Sequence, residues 1–100
     1  MQHSDHRLSP CPASPNCVSS LSSDRKHAVE PLRYSGSRDE GRQRILAVLD
    51  SLARVRVVQA DNDYVHAEFQ SRIFRFIDDV EFYFAEEDGV IFVRSASRVG

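Results

Sequence analysis

The chain has 100 residues, of which 41% are hydrophobic and 28% charged, and its formal net charge is −2. This composition is typical of one small globular domain, and no stretch approaches the roughly 18 apolar residues that a membrane-spanning helix needs. Because basic and acidic residues are mixed along the chain, the sequence lacks the concentrated basic face that nucleic-acid-binding proteins carry. We therefore expect a soluble domain with no membrane span and no nucleic-acid partner.

Residues 1–28 are rich in Ser, Pro and His and follow neither the helical nor the strand period. They are predicted to form an extended or partly mobile N-terminal arm, followed by a single α+β domain over residues 29–100. The start of the chain lacks the basic and apolar stretches of a secretory signal, and the two cysteines are too few for a disulfide scaffold. Both observations favour a cytoplasmic location.

A helix is predicted to begin at Arg38 and to end near residue 53. Ser37 and Glu40 have the spacing of a capping box, in which each residue satisfies a free backbone N–H of the other. The apolar positions of the helix recur at i, i+3, i+4 and i+7, which predicts one buried face. That face consists of Ile45, Val48, Leu49 and Leu52. Before the helix, residues 29–34 predict an edge strand, since Pro31 cannot donate a hydrogen bond to a neighbouring strand.

After the helix the apolar period changes to two, which predicts strands. Two segments that flank the polar turn of residues 60–63 form one expected hairpin. A second hairpin joins residues 79–87 to 90–98 through Asp88-Gly89, a dipeptide favoured in two-residue type I′ turns. For residues 71–77 the sequence does not decide between a further strand and a bend. The fold class predicted overall is α+β, an antiparallel sheet of four or five strands with one amphipathic helix packed on one face.

A two-residue turn would fix which residues lie opposite each other in the second hairpin. The expected pairs on one face are Phe84 with Val93, Phe82 with Ser95, and Val80 with Ser97. On the other face they are Ala85 with Phe92, Tyr83 with Arg94, and Asp79 with Arg98. Ser95 and Ser97 would then be small polar residues on an apolar face, which predicts either close packing by the helix or a hollow with hydroxyl groups at its floor.

The neighbouring carboxylates Asp78 and Asp79 do not predict a catalytic acid pair, because consecutive residues of a strand point to opposite faces. Asp79 is expected to form a cross-strand ion pair with Arg98. Asp78 needs a partner if it lies toward the core. His66 alternates onto the predicted solvent side of its strand and is interpreted as a surface residue.

Cys11 and Cys17 allow three interpretations. A disulfide would close a short loop that Pro12 and Pro15 already stiffen. A metal site would use His3, His6 or His27, but the spacings match no zinc pattern. A nucleophilic Cys17 would need a base beside it, for which Asp78 and His27 are the candidates. The pattern favours structural or free thiols, and neither a metal nor a cofactor is predicted.

Three segments of the chain resemble a known family. They are PNCVSS at residues 15–20, FIDDVEF at 76–82 and VRSASRVG at 93–100. Together they are similar to the domain-of-unknown-function family number 1499, which occurs largely in bacteria and photosynthetic organisms. The resemblance covers residues 11–100 and implies no activity, cofactor or substrate. The positions that match the motifs of the family are Asn16, Cys17, Ser20, Asp78, Asp79, Arg94, Ser95, Ser97 and Arg98.

These residues suggest a non-enzymatic binding module. In this hypothesis the Cys17 arm folds over the sheet end near Arg94, Ser97 and Arg98 and receives a small polar or anionic ligand or a partner segment. A thiol hydrolase or transferase that uses Cys17 is the first alternative. A structural protein-interaction domain that pairs through an exposed edge strand is the second.

Overall fold

The computed structural model describes residues 8–13, 15–73, 75–85 and 89–98. One helix packs on a sheet of six antiparallel strands in the described part of the chain, so the predicted α+β class is confirmed. The sheet has one or two strands more than expected. In chain order the elements are β1 (Cys17–Ser19), β2 (Leu32–Arg33), α1 (Arg38–Ser51), β3 (Val55–Ala60), β4 (Tyr64–Gln70), β5 (Ile77–Phe84) and β6 (Val90–Ser97).

The strands follow the order β1-β6-β5-β4-β3, and β2 also pairs with β6. Part of the segment predicted as an arm is therefore a strand, because Cys17–Ser19 pairs with β6. The short strand β2 lies within the predicted edge strand and follows directly after Pro31. Residues 1–7 and 14 of the predicted arm lie outside the described residues. In the segment whose structure was left open, residues 72 and 73 form a turn, residue 74 lies outside the described residues, and β5 begins at Ile77.

The predicted capping box is confirmed at the start of α1. The Ser37 hydroxyl accepts from the backbone N–H of Glu40 at 3.1 Å, and the Glu40 carboxylate accepts from the N–H of Ser37 at 2.8 Å. The helix ends at Ser51, where Leu52 takes an extended conformation and its N–H donates to the carbonyl of Leu49. The predicted bounds are therefore confirmed to within two residues.

The buried face of the helix differs from the prediction. Leu49 is buried, and Ile45 and Leu46 pack against the same core, but Val48 is 55% exposed and Leu52 43% exposed. Successive helical residues are about 100° apart, so a face centred between Ile45, Leu46 and Leu49 leaves Val48 to one side. Leu52 lies beyond the end of the helix and so cannot extend its face.

The second hairpin is confirmed, but its predicted register is wrong by two residues. Phe84 lies opposite Ile91 rather than Val93, and Phe82 lies opposite Val93 rather than Ser95. This register does not fit a two-residue turn at residues 88–89, because such a turn would place Phe84 opposite Val93. Asp88 of the predicted turn lies outside the described residues. The shift pairs large apolar residues with each other, and because it is even, each side chain keeps its predicted face.

Different parts of the chain pack on the two faces of the sheet. On the helix face, α1 packs over a core of Leu49, Val65, Ala67, Phe82, Phe84 and Ile91. On the opposite face, which we call the arm face, Leu8 is buried against Tyr64, Tyr83, Ala85 and Phe92. Alternation along the strands places charged side chains over the rest of the arm face. The N-terminal arm therefore covers part of the polar side of the sheet.

Candidate functional site

A disulfide bond between Cys11 and Cys17 ties the arm to the sheet. Cys17 is 1% exposed and lies opposite Ala96 in the pairing of β1 with β6. Leu8, three residues before Cys11, is held in the aromatic cluster of the arm face. The arm is thus fixed at two points, one covalent and one apolar.

Of the three interpretations of the cysteines, the structure has the disulfide. A sulfur atom bonded to another sulfur is not a thiolate, so Cys17 cannot act as a nucleophile in this state. Asp78 is excluded as its partner, since Asp78 lies opposite Ser97 on the helix face while Cys17 is on the arm face. The described residues contain no group of three or more His, Cys, Asp or Glu side chains that could hold a metal, and His3 and His6 lie outside them.

An open cleft of about 530 Å³ lies between the disulfide-tied arm and the loop that follows β1. We call it the arm cleft. Its lining is half polar and half apolar and consists of Leu8, Ser9, Pro10, Cys11, Pro12, Ala13, Ser19, Leu21, Ser22, Ser23, Asp24 and His27. Every one of these residues is in the first 28 positions, so the cleft belongs to the segment that the sequence predicted as an arm.

The second wall of the arm cleft is built around Asp24 and His27. The Asp24 carboxylate accepts from the backbone N–H of Lys26 at 3.0 Å and contacts His27 Nδ1 at 2.8 Å. These two contacts, that of Lys26 the larger, hold the pKa of Asp24 below its ordinary value. His27 is buried, and its carbonyl accepts from the N–H of Ser19 at 2.7 Å. The imidazole is therefore fixed at the wall of the cleft and is not beside a free thiol.

Three of the predicted site residues fasten β1 to β6. Asn16 Nδ2 donates to the carbonyl of Ser97 at 2.7 Å, and the Asn16 carbonyl accepts from the N–H of Ser97 at 3.0 Å. The Ser20 hydroxyl accepts from the N–H of Val93 at 2.8 Å. These contacts occupy backbone groups along the edge of β6, so they account for Asn16 and Ser20 as structural residues.

Asp79 and Arg98 belong to a charged network on the arm face. The predicted ion pair is confirmed, with Arg98 Nε 2.8 Å from Asp79 Oδ2. Arg98 also donates to Glu68, which in turn accepts from Arg56 at 3.0 Å. His66, interpreted from the sequence as a surface residue, is half-buried, with Nε2 2.8 Å from Asp79 Oδ1. Arginines and carboxylates alternate here and neutralise each other.

Arg94 forms a second, less accessible pair on the same face. Its Nη1 donates to Glu81 Oε1 at 3.1 Å, and the Tyr64 hydroxyl donates to the other oxygen of that carboxylate. The side chains of Arg94 and Glu81 are 16% and 17% exposed. Arg94 Nε is buried without a hydrogen-bond partner in the described part of the chain.

The remaining predicted residues are on the helix face. Ser95 lies opposite Val80, and Ser97 lies opposite Asp78, which is exposed. Both serines are half-buried, and neither lines the arm cleft. The predicted site residues therefore do not form a single site. Some make contacts along the edge of β6, some form charged pairs on the arm face, and the two serines are on the helix face.

Sequence reasoning missed most of the residues that line the cleft, although it named Cys11, Pro12 and His27. Two local signals were available. One is the three-residue spacing of Asp24 and His27, and the other is the short Pro-containing loop between Cys11 and Cys17. Neither indicates by itself that the two loops lie side by side.

Fold and cleft together define a small α+β domain with a disulfide-tied N-terminal arm. The chain belongs to the family described as Protein of unknown function (DUF1499), whose model matches residues 7–100. This confirms the resemblance found in the three sequence segments. No curated protein and no solved structure matches the chain. In the described residues, no helix is long and apolar enough to cross a membrane.

Proposed function

We propose that this domain is a non-enzymatic binding module for a small polar ligand, and that the ligand binds in the arm cleft. The cleft itself carries the proposal. Its volume of about 530 Å³ is within the usual range of small-molecule sites, which lies between about 300 and 1,000 Å³.

The lining indicates the chemistry of the ligand. Leu8, Pro10 and Leu21 supply apolar contacts, whereas the hydroxyl groups and the His27 imidazole supply polar ones. The Ser19 hydroxyl already accepts from the N–H of Leu21, but Ser23 has no partner among the described residues. A compact ligand with an apolar body and one or two neutral polar groups fits this combination.

An anionic ligand has less support. Arg94 and Arg98, the arginines expected to bind it, are each engaged by carboxylates. Adding an anion there would require these pairs to break. Binding of a partner segment and the structural interaction domain stay predictions. For the interaction domain, the exposed edge strand β3 carries an irregularity between Val57 and Gln59, and such bulges disfavour pairing with another chain.

The compartment is part of the proposal. Disulfides persist mainly in oxidising environments, so the Cys11–Cys17 bond supports a location outside the reducing cytoplasm, contrary to the sequence-based expectation. The proposed oxidising location replaces the cytoplasmic location expected from the sequence, and the bacterial origin stays a prediction. The alternative function, a thiol hydrolase or transferase, would require Cys17 to be reduced.

The test uses two probes of equal size and different charge, benzamide and benzoate. Each is titrated into the ¹⁵N-labelled full chain at neutral pH, and the amide shifts are followed by NMR. We expect benzamide to shift amides of residues 8–13 and 19–27. Leu21→Trp should abolish these shifts by filling the cleft, whereas Leu32→Trp, a matched change at an exposed leucine of β2, should keep them.

Two results would count against the proposal. If neither probe shifts the cleft amides at millimolar concentration, the cleft is not a small-molecule site. If only benzoate binds and the shifted amides surround Arg94 and Arg98, the ligand is anionic and the site is on the charged network instead.

A further inference from the structure

Exposed apolar side chains protrude at the end of the sheet where β4 turns into β5. In this turn, described at residues 71–73 and 75–76, Ile73 is 79% exposed and Phe76 45% exposed. The turn is closed by its own hydrogen bonds, since the N–H of Ser71 donates to the Phe76 carbonyl and the N–H of Phe76 donates to the Ser71 hydroxyl. These hydrogen bonds hold the two ends of the turn together, and the side chains of Ile73 and Phe76 are exposed there rather than buried in the sheet core.

Three arginines surround these apolar groups. Arg72 and Arg75 are in the turn itself, and Arg54 is beside it, because the Arg54 carbonyl accepts from the N–H of Gln70 at 2.9 Å. All three are exposed, and none of their guanidinium groups has a hydrogen bond or ion pair within the described part of the chain. The arginines on the arm face differ, since each of them contacts a carboxylate. These are Arg56, Arg94 and Arg98.

The charge at this end is concentrated in a way that the sequence does not reveal. The whole chain has a net charge of −2, yet three arginines with unpaired guanidinium groups lie in or beside one turn of the described structure. Asp78, the acidic residue nearest to the turn along the chain, is exposed on the helix face of β5. The end is therefore locally basic and apolar together.

The backbone conformation at two of these positions does not favour arginine. Arg54 and Arg75, with φ of 61° and 59°, are the non-glycine residues with positive φ in the described ranges. Glycine adopts this conformation at the least steric cost, and asparagine tolerates it. The turn geometry alone would therefore favour Gly or Asn, so the guanidinium groups call for another explanation.

We propose that this end of the sheet, formed by Arg54, Arg72, Ile73, Arg75 and Phe76, is a docking surface for an anionic membrane. Ile73 and Phe76 enter the boundary between headgroups and acyl chains, and the three guanidinium groups bind lipid phosphates. Apolar side chains flanked by basic ones are the combination that binds such interfaces. Side chains as exposed as Ile73 and Phe76 can enter a deformable lipid surface without a preformed complementary groove. The association is peripheral and requires no spanning helix.

Vesicle sedimentation of the full chain tests the proposal. We expect the chain to bind vesicles of phosphatidylcholine with 30% phosphatidylglycerol. Its affinity for them should be at least about tenfold higher than for phosphatidylcholine alone and should decrease as salt is added. Arg72→Gln/Arg75→Gln and Ile73→Ser/Phe76→Ser should each reduce this binding about tenfold. The controls are Arg25→Gln/Arg33→Gln, which removes the same charge elsewhere, and Leu32→Ser/Val48→Ser, which removes two exposed apolar side chains elsewhere. Both should bind like the unaltered chain.

A fluorescence experiment reports insertion directly. The chain contains no tryptophan, so Phe76→Trp introduces a single reporter. We expect its emission to shift to the blue with anionic vesicles and to be quenched by brominated acyl chains, whereas Val48→Trp should not respond. Circular dichroism establishes that each variant is folded.

The proposal is overturned if the chain does not sediment with anionic vesicles, or if the turn variants bind as well as the controls. It is also overturned if Phe76→Trp responds instead to a soluble polyanion such as heparin and not to vesicles. None of these results depends on ligand binding in the arm cleft.

Discussion

The guanidinium group of Arg98 holds both carboxylate oxygens of Asp79, although Ala96 is the residue directly opposite Asp79 in the sheet. Arg98 reaches diagonally across from the end of β6, and its Nη2 also contacts Glu68. One side chain therefore joins the carboxylates of two strands. The hydrogen bond from Arg98 lowers the pKa of Asp79, and hydrogen bonds from Arg56 and Arg98 lower the pKa of Glu68, which gives the network a measurable pH dependence.

The first prediction concerns stability in acid. The hydrogen bond from Arg98 is the largest cause that lowers the pKa of Asp79, from 3.8 to about 2. A carboxyl group with a depressed folded-state pKa stabilises the protein above its unfolded-state pKa, and this contribution is lost as the pH falls through the folded-state value. The free energy of unfolding should therefore decrease between pH 4 and 2 as Asp79 takes up its proton. Urea unfolding at a series of pH values measures it.

Arg98→Gln should flatten this acid-induced decrease, because the pKa of Asp79 then returns toward its ordinary value. Glu68 contributes to the same slope, since hydrogen bonds from Arg56 and Arg98 lower its pKa. Arg33→Gln is the control with equal change in charge, at an arginine outside the network. An unchanged slope in Arg98→Gln would contradict the assignment.

The contact between Asp79 and Arg98 was predicted from a register that the structure does not have. The prediction of the contact is still correct because the observed register differs from the predicted one by two residues. Such a shift preserves the face of every side chain and leaves Arg98 diagonal to Asp79. Alternation of apolar residues is encoded locally, so the faces follow from the sequence. The register depends on pairing Phe82 with Val93 and Phe84 with Ile91 in the core, and this is a tertiary property.

The candidate site was less predictable than the fold for a related reason. The arm cleft is made by two loops without hydrophobic period, and their position depends on the Cys11–Cys17 bond and on Leu8 in the aromatic cluster. The sequence showed the cysteines but could not choose between a bond and free thiols. The concentration of charge at the β4–β5 turn was also not predictable, because Arg54 lies beside that turn only when β3 pairs with β4.

The second prediction concerns Gly41 in the first half of the helix. Replacing glycine by alanine inside a helix ordinarily stabilises by about 1 kcal/mol. Here a Cβ at residue 41 would lie 2.6 Å from Cε2 of the Tyr34 ring, which is too close. Gly41→Ala should therefore lower the free energy of unfolding by about 1 to 3 kcal/mol, the usual cost of overpacking. Thermal or urea unfolding measures the change.

A double variant separates the steric cause from any general effect at residue 41. In a Tyr34→Ala background the ring is absent, so adding Gly41→Ala should stabilise by as much as about 1 kcal/mol. The reversal of sign is the expected result. If Gly41→Ala destabilises equally in both backgrounds, the Tyr34 ring is not the cause.

The third prediction concerns the pair of Arg94 and Glu81. Removing one partner of a poorly accessible ion pair leaves the other charge without compensation. Glu81→Leu should lower the free energy of unfolding by about 2 kcal/mol, below the value for a fully buried pair because both side chains retain some exposure. Urea unfolding at neutral pH measures it.

Replacing both partners tests whether charge is the cause. Arg94→Met/Glu81→Leu should recover most of the lost stability, since no charge is then left unpaired. A double variant as unstable as Glu81→Leu would show that packing, or the hydrogen bond from Tyr64 to Glu81, dominates instead.

The fourth prediction concerns the disulfide that fixes the arm. Breaking the Cys11–Cys17 bond restores freedom to a short loop, so Cys11→Ser/Cys17→Ser should lower the free energy of unfolding by about 2 kcal/mol on the loop-entropy model. Amide hydrogen exchange should increase over residues 8–13 but stay unchanged in β4 and β5. The contrast is expected because the sheet core does not depend on the arm, whereas Leu8 loses its covalent anchor.

Reduction of the unaltered chain with dithiothreitol should reproduce the exchange pattern of the double serine variant, and intact mass after alkylation identifies the two thiols. Benzamide shifts at the arm cleft should weaken in both samples, because one wall of the cleft is then released. If both cysteines alkylate readily in chain purified from an oxidising compartment, the bond does not form there. The arm would then be held by Leu8 alone, and the support that the disulfide gives to an oxidising location would be lost.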